Sequence, residues 1–232
     1  MSLIIAVFTP TGIVLSGDSR TTGTLNSQVA NPNDPSKQLN VQSLFTISDA
    51  THKIFKILGK YGIGTYGDAH VYGLPIAHHI EQFEIKQLQN QPKSINDLAI
   101  ELLKFFKSFN PVPKTGFILA GYDENTPFVL GIDVFGDKIS RINLNQDDKL
   151  FYGIVRGGEV DVINRLLNNP HRQPLFDAMN LQDGIDLSRH LIRATIDQMR
   201  FEPAVPTVGG EIDTLIITNN NTEFLYHKQL KC

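Results

Sequence analysis

The chain has 232 residues, of which 41% are hydrophobic and 19% charged, and its formal net charge is −3. This composition is that of an ordinary globular protein, so we expect one domain over residues 1–232 and no nucleic-acid or anionic-membrane partner. The one cysteine, Cys232, excludes an internal disulfide, and no apolar run has the length of a membrane span, so a cytoplasmic location is expected.

The first twenty residues predict a β-hairpin with its first strand at the chain start. An apolar run begins at Ser2, turns through residues 9–12 and returns as a second apolar run that ends at Asp18. Removal of Met1 would leave Ser2 with a free α-amine, which titrates near pH 8 and can serve as a base for the adjacent hydroxyl. The alternatives are that Ser2 is an ordinary second residue or that Met-Ser-Leu is partly an expression scar.

The next segment changes to a polar composition. Residues 21–52 predict a long polar loop, with a turn at residues 31–35 and a short strand near residues 43–47. Residues 53–58 and 61–67 then predict two strands, the second with glycine at alternate positions, which allows another chain to approach closely.

Two helices are predicted after these strands. The first is expected from Asp68 to about Gln89, with Pro75 near its first turn. The second begins at the capping-box sequence of residues 94–97 and continues with apolar residues at helical spacing.

The second half of the chain repeats this grouping of strands and then helices. Strands are predicted at residues 116–122, 127–133, 138–144 and 151–155, helices at 158–167 and 187–199, and a closing hairpin at 212–218 and 223–227. Strands grouped with strands and helices with helices favour an α+β fold over alternating βαβ units.

Four segments of the chain match sequence motifs of one protein family, and they occur in the same order as in that family. They are residues 12–20, Lys53-Ile54-Phe55, residues 64–69 and residues 209–218. With them, the chain resembles the proteasome β-subunits and the related bacterial HslV peptidase, which are N-terminal nucleophile hydrolases. The spacing from Ser2 to Asp18 is also similar to the family's spacing from nucleophile to acid.

The resemblance implies a four-layer αββα sandwich that hydrolyses peptide or other amide bonds. It implies that Ser2 is the nucleophile with its own amine as base, that Lys53 and Asp18 form a charge pair beside it, and that the N–H of Gly67 binds the oxyanion. It further implies a homo-oligomeric ring and no metal or organic cofactor. It leaves the substrate, the ring size and any ATPase partner open.

The chain departs from the family pattern where the terminal amine would be oriented. The family supplies an Asp and a Ser before the glycine doublet, whereas this chain has residues 204–208, Ala-Val-Pro-Thr-Val. Thr207 and Glu202 are possible substitutes, and Arg20 is a further possible supporting residue. These departures keep open a second hypothesis, a catalytically silent subunit that acts in assembly or binding.

Two other motifs have competing interpretations. Residues 62–67 fit the G-x-G-x-x-G dinucleotide fingerprint, but the surrounding βαβ unit that this fingerprint requires is not predicted. His78, His79 and Glu81 suggest metal ligands, but adjacent residues point about 100° apart on a helix, so a solvated helix face is favoured.

Overall fold

The computed structural model describes residues 2–32, 34–90, 92, 94–169, 171 and 173–228. Met1 and Cys232 lie outside these ranges. The expected removal of Met1 and the expectation about disulfides, which depends on Cys232, therefore concern residues outside the described part. The strands of the described part are β1 (Leu3–Thr9), β2 (Gly12–Gly17), β3 (Thr21–Asn31), β4 (Asp34–Ser48), β5 (Ile54–Ile57), β6 (Tyr61–Gly67), β7 (His70–Val71), β8 (Leu74–Pro75), β9 (Thr115–Asp123), β10 (Thr126–Asp133), β11 (Lys138–Arg141), β12 (Gly153–Gly158), β13 (Asp213–Ile217) and β14 (Thr222–Tyr226). The α-helices are α1 (Ile76–Asn90), α2 (Ile95–Lys107), α3 (Asp161–Leu167) and α4 (Leu181–Met199).

Two five-stranded sheets carry most of the strands. Their orders are β12-β1-β2-β13-β14 and β11-β10-β9-β6-β5. All of these neighbours pair antiparallel. The predicted α+β class is therefore confirmed, as are the hairpin of β1 with β2 and the meander of β9, β10 and β11.

Strand β1 is apolar from Leu3 to Phe8 because both of its faces are buried. Leu3, Ile5 and Val7 pack with residues of α3 and α4. The alternate residues pack against the second sheet, and this set comprises Ile4, Ala6 and Phe8. A third cluster joins α1 and α2 to the second sheet, for example through the contact between Phe106 and Phe117.

The capping sequences set where two of the helices begin. Ser94 accepts a hydrogen bond from the N–H of Asp97 at the start of α2, as predicted. Helix α4 begins at Leu181, six residues before the predicted start, because Asn180 and Asp183 form a capping box. Within the described part of the chain, no helix has the length and apolar character needed to cross a membrane.

The prediction that α1 begins at Asp68 is wrong. The helix begins at Ile76, directly after Pro75, and the short strands β7 and β8 precede it. Tyr72 and Gly73, in the turn between these strands, both have left-handed φ values, of 51° and 77°, that a helix does not tolerate.

The predicted loop over residues 21–52 is also corrected, because most of it is a two-stranded antiparallel ribbon of β3 and β4. The short strand predicted near residues 43–47 lies within β4. Its cross-strand pairs run from Thr21 opposite Ser48 to Asn31 opposite Asp34. The many Asn, Gln, Ser and Thr residues suggested a loop, but their regular alternation with Leu, Val, Phe and Ile is the period-2 pattern of a strand.

Candidate active site

Ser2 lies immediately before β1 and is fixed by the ends of two neighbouring strands. It is 5% exposed. Its carbonyl oxygen accepts a hydrogen bond of 2.8 Å from the N–H of Glu159, just after β12. The next residue, Leu3, donates its N–H to Asp18 at 2.9 Å and accepts one from the N–H of Asp18 at 3.2 Å. The serine is therefore held within the first sheet.

Gly158 makes this arrangement possible at the end of β12. Its φ is +94°, and a Cβ at this position would lie 1.7 Å from the carbonyl oxygen of Ser2. No residue with a side chain fits at this distance. Gly158 is thus the sequence signal for a close approach to Ser2, whereas Gly157 makes room for the ring of Tyr66.

Asp18 is fully buried and accepts four hydrogen bonds. Its Oδ1 accepts from the Nζ of Lys53 at 2.7 Å and from the N–H of Leu3, and its Oδ2 accepts from the N–H groups of Arg20 at 3.1 Å and Gly209 at 3.0 Å. A buried carboxylate needs such partners to remain charged. The late segment at Gly209 is therefore tied directly to the predicted acid.

Lys53 is 3% exposed and lies immediately before β5. Its ammonium also donates to the carbonyl oxygen of Arg20. Burial lowers the pKa of Lys53, and the charge and hydrogen bond of Asp18 oppose this effect. The positive charges of Lys228 and Arg20 lower the pKa further. The ion pair thus places a desolvated cation next to the strand that begins after Ser2.

Gly67 ends β6 with a φ of +99°, and a Cβ there would lie 2.2 Å from the carbonyl oxygen of Lys114. Ser2, Lys53 and Gly67 line one small cavity, whose other residues are Thr21, Thr51, Thr65, Tyr66, Asp68, Ala69 and Ile76. The volume of this cavity is about 10 Å³, which is enough for about one water molecule. The structure therefore brings together three of the predicted catalytic residues, and the fourth, Asp18, binds Lys53.

Three threonines around this cavity were not singled out in the sequence. Thr21 donates a hydrogen bond of 2.7 Å to Thr51 across it. The Oγ1 of Thr65 is buried and has no hydrogen-bond partner among the described residues. Because an unsatisfied buried hydroxyl is costly, Thr65 marks a position where a bound polar group would be stabilised. Their positions depend on strand pairing, which no local motif reveals.

Arg20 contributes to the site through its backbone rather than its guanidinium. The side chain pairs with Asp49 through two hydrogen bonds, of 2.6 and 2.7 Å, and also reaches the carbonyl oxygen of Pro206. This pairing raises the pKa of Arg20 and lowers that of Asp49. Gly209 packs against the guanidinium, with its hypothetical Cβ 2.5 Å from the Cζ. Arg20 therefore fixes the segments on both sides of the ion pair.

Thr207 and Glu202 do not lie at the small cavity. The hydroxyl of Thr207 points to the sulfur of Met199 at 3.9 Å, and Glu202 pairs with Arg165 at 3.4 Å. Both line a different cavity of about 630 Å³, to which Glu159 also belongs. Among the described residues, neither Thr207 nor Glu202 forms a hydrogen bond with Ser2.

The glycines of the dinucleotide-like sequence serve sheet packing. A Cβ on Gly62 would lie 2.7 Å from side-chain atoms of Leu215 and Ile217, and one on Gly64 would lie 2.5 Å from Ile4. These neighbours belong to the other five-stranded sheet. Because β6 pairs antiparallel on both sides, the βαβ unit of a nucleotide fold is absent from this region of the described chain.

The three residues of the predicted helix face also have ordinary environments. His78 and Glu81 are exposed on α1, whereas the Nε2 of buried His79 is 2.9 Å from the carbonyl oxygen of Val71. The exposure of His78 and Glu81 agrees with the preferred interpretation of a solvated helix face, whereas His79 is buried in the protein.

A different group of potential metal ligands surrounds Asp213 at the start of β13. The Nδ1 atoms of His52 and His227 lie 3.7 and 3.6 Å from its carboxylate oxygens. The ammonium and the backbone N–H of Lys228 both donate to the same carboxylate. Because Lys228 already supplies the cation, the group is best described as a buried ion-pair network that fastens the residues after β14 to the sheet.

A scan of the chain against models of known protein families found no match, and a search of well-characterised protein sequences found none either.

Proposed function

We propose that this chain is an N-terminal nucleophile hydrolase that cleaves peptide or other amide bonds through an acyl-enzyme on Ser2. The observation that carries the proposal is the buried ion pair of Asp18 and Lys53, which lies beside Ser2 at the beginning of β1 and shares a cavity with Gly67. A buried ion pair is not needed for stability, because apolar side chains of similar size often stabilise a protein equally well. Its position next to a hydroxyl favours a chemical role.

The proposal requires that the peptide bond before Ser2 be cut. The freed α-amine then takes the proton of the Ser2 hydroxyl as the oxygen attacks the substrate carbonyl. The ammonium of Lys53 favours the neutral amine and the developing negative charge on the serine oxygen. The N–H of Gly67 stabilises the oxyanion, a contribution that is typically worth about 3 kcal/mol in the barrier. The protonated amine returns its proton to the leaving amine, and water completes the hydrolysis.

The proposal places the protein in the cytoplasm. It also includes a four-layer αββα arrangement of the two large sheets and the four helices. The three apolar clusters support it: one lies between the two large sheets, and the other two join each sheet to a pair of helices. We also propose a homo-oligomeric ring, by family resemblance.

Hydrolysis of a fluorogenic alanyl or glycyl amide tests this function in the purified protein. Ser2→Ala should lower kcat/KM by at least about 100-fold, because the nucleophile is lost. Ser2→Thr is the matched control, because it keeps a hydroxyl beside the amine, and it should retain measurable turnover. Equal activity in wild type and Ser2→Ala would rule out the proposed nucleophile.

The catalytically silent subunit is the second candidate. It is favoured by the contacts of Thr207 and Glu202, the two possible substitutes for the family's Asp and Ser, because among the described residues they bind Met199 and Arg165 instead of Ser2. The intact mass of the protein from its native source distinguishes the two. A chain that begins at Ser2 supports the hydrolase, whereas a chain that keeps the preceding residue has no free amine at Ser2 and supports the silent subunit.

A further inference from the structure

The ribbon of β3 and β4 has two faces of opposite character. Directly opposed residues of an antiparallel pair point to the same face. The register places Val29 opposite Leu39, Ser27 opposite Val41 and Gly23 opposite Phe45, all on one face. We call this the apolar ribbon face, and its large side chains are Leu25, Val29, Leu39, Val41, Phe45 and Ile47.

The opposite face is almost entirely polar. Its cross-strand pairs include Asn26 with Gln42, Gln28 with Asn40 and Thr22 with Thr46. Leu44 is the one large apolar side chain among the described residues of this face. The ribbon therefore has one face suited to water and one suited to burial.

The apolar ribbon face is uncovered in the single chain. Its six large side chains are between 39% and 58% exposed. None of them belongs to the three apolar clusters among the described residues. A two-stranded hairpin is marginally stable by itself in water, so a ribbon of this length is expected to pack against another surface.

The side chains of this face are arranged to interlock with a similar surface. Phe45 and Ile47 lie over Gly23, where a Cβ would be 2.7 and 3.0 Å from their ring and methyl atoms. Small residues lie opposite large ones across the two strands, with Ser27 opposite Val41 and Ser43 opposite Leu25. Alternation of large and small side chains is what lets two sheet faces pack about 10 Å apart.

Charge favours a second copy of the same chain as the occupant. Asp34 and Lys37 are the two charged residues between positions 21 and 48, and they pair with each other at 3.1 Å. Because the face itself carries no charge, two identical faces meet without electrostatic repulsion. A face of this kind is suited to an isologous contact, in which the same patch of each copy contributes.

The exposed apolar area of two ribbon faces together is large enough for a specific interface. Six side chains of this size, about half exposed, offer roughly 500 Å² of apolar surface, which is at the upper end for the largest patch of a monomeric protein. Two such faces together give about 1,000 Å², the lower bound for a specific interface. The polar atoms and flanking residues that they cover add to this area.

We propose that two copies of this chain pack their apolar ribbon faces together, so that the two ribbons form a small four-stranded sandwich between the two bodies. This contact is independent of the proposed catalysis, because it uses none of the residues around Ser2. It joins copies as pairs, in addition to any ring.

Sedimentation velocity of the full chain at micromolar concentration tests the pairing. The wild type should sediment as a dimer or a larger even-numbered assembly. Val41→Glu places two like charges in the contact, so its assembly mass should fall at least twofold. Gln42→Glu is the matched control, because it adds the same charge to the adjacent residue on the polar face, and it should keep the wild-type mass.

Three results would overturn the proposal. They are a monomeric wild type, an unchanged mass in Val41→Glu, and an equal fall in mass for both variants. The wild type would be monomeric if the ribbon packs against its own chain or binds an unrelated protein. Val41 and Gln42 are both exposed, so the fold should remain intact in both variants. Hydrolysis of the amide substrate by Val41→Glu tests the proposed function separately from the pairing of two copies.

Discussion

Asp18 organises the candidate site at the scale of single residues. It links the residue after Ser2, the backbone of Arg20, the ammonium of Lys53 and the N–H of Gly209. These groups come from four separate parts of the sequence. Removing one partner of a buried ion pair commonly costs about 3–5 kcal/mol, so variants at Asp18 or Lys53 confound catalysis with stability. Substitutions of Ser2, which leave the ion pair intact, separate the two effects.

His52 provides a test of the ion-pair network around Asp213. Burial lowers the pKa of His52 below 6.5, and the positive charge of Lys228 and the neighbouring His227 lower it further, although Asp213 opposes them. The folded state therefore resists a proton that the unfolded chain accepts. Stability should be complete above about pH 6.5 and should decline as the pH falls through the lowered pKa.

Melting temperatures between pH 7.5 and 5 check this expectation. His52→Gln should lose less stability than the wild type over the same pH interval. The variant has no imidazole at position 52 that the unfolded chain protonates more readily than the folded protein. His78→Gln, at an exposed position of α1, controls for the loss of an imidazole in general. The explanation fails if the wild type and His52→Gln lose stability in parallel as the pH falls.

The end of β12 determines the position of Ser2 at the scale of secondary-structure elements. Gly158→Ala combines a left-handed φ with a clash against the Ser2 carbonyl, whereas Gly59→Ala has a φ of +70° and nothing within 4 Å of its Cβ. Gly59→Ala should cost about 1 kcal/mol in the free energy of unfolding, from backbone strain alone. Gly158→Ala should cost at least about 2 kcal/mol more, because the backbone must move.

Urea denaturation of both variants measures the difference, and hydrolysis of the amide substrate by the folded protein reports the position of Ser2. Equal destabilisation by the two substitutions would show that the carbonyl of Ser2 is not held against Gly158.

The elements differ in how well the sequence predicts them, and the reasons are physical. Strand β1 and helix α2 were predicted because an unbroken apolar run and a capping sequence are local signals. Strand β3 and most of β4 were missed, apart from the short strand predicted near residues 43–47, because Asn, Gln and Ser occupy the polar positions of their alternation and are more frequent in turns. The start of α1 was misplaced because Asp68 resembles a helix cap, although Pro75 prevents a helix that begins there.

At the scale of the whole molecule, the candidate site depends on contacts between distant segments. The sequence indicated Ser2, Asp18, Lys53 and Gly67 by their resemblance to a known order of motifs, and the fold places three of them at one cavity with Asp18 bound to Lys53. The donors from Arg20 and Gly209 and the unsatisfied hydroxyl of Thr65 were not predictable, because backbone groups and buried hydroxyls acquire these roles only through tertiary packing.

The most direct test of the central claim is reaction of the purified protein with a hydroxyl-directed β-lactone, followed by mass spectrometry of its peptides. A free amine beside an activated hydroxyl should make Ser2 the labelled residue, on a peptide that begins at Ser2, and Ser2→Ala should lose the label while Ser2→Thr keeps it. An adduct at another residue, or labelling unchanged in Ser2→Ala, would contradict the account.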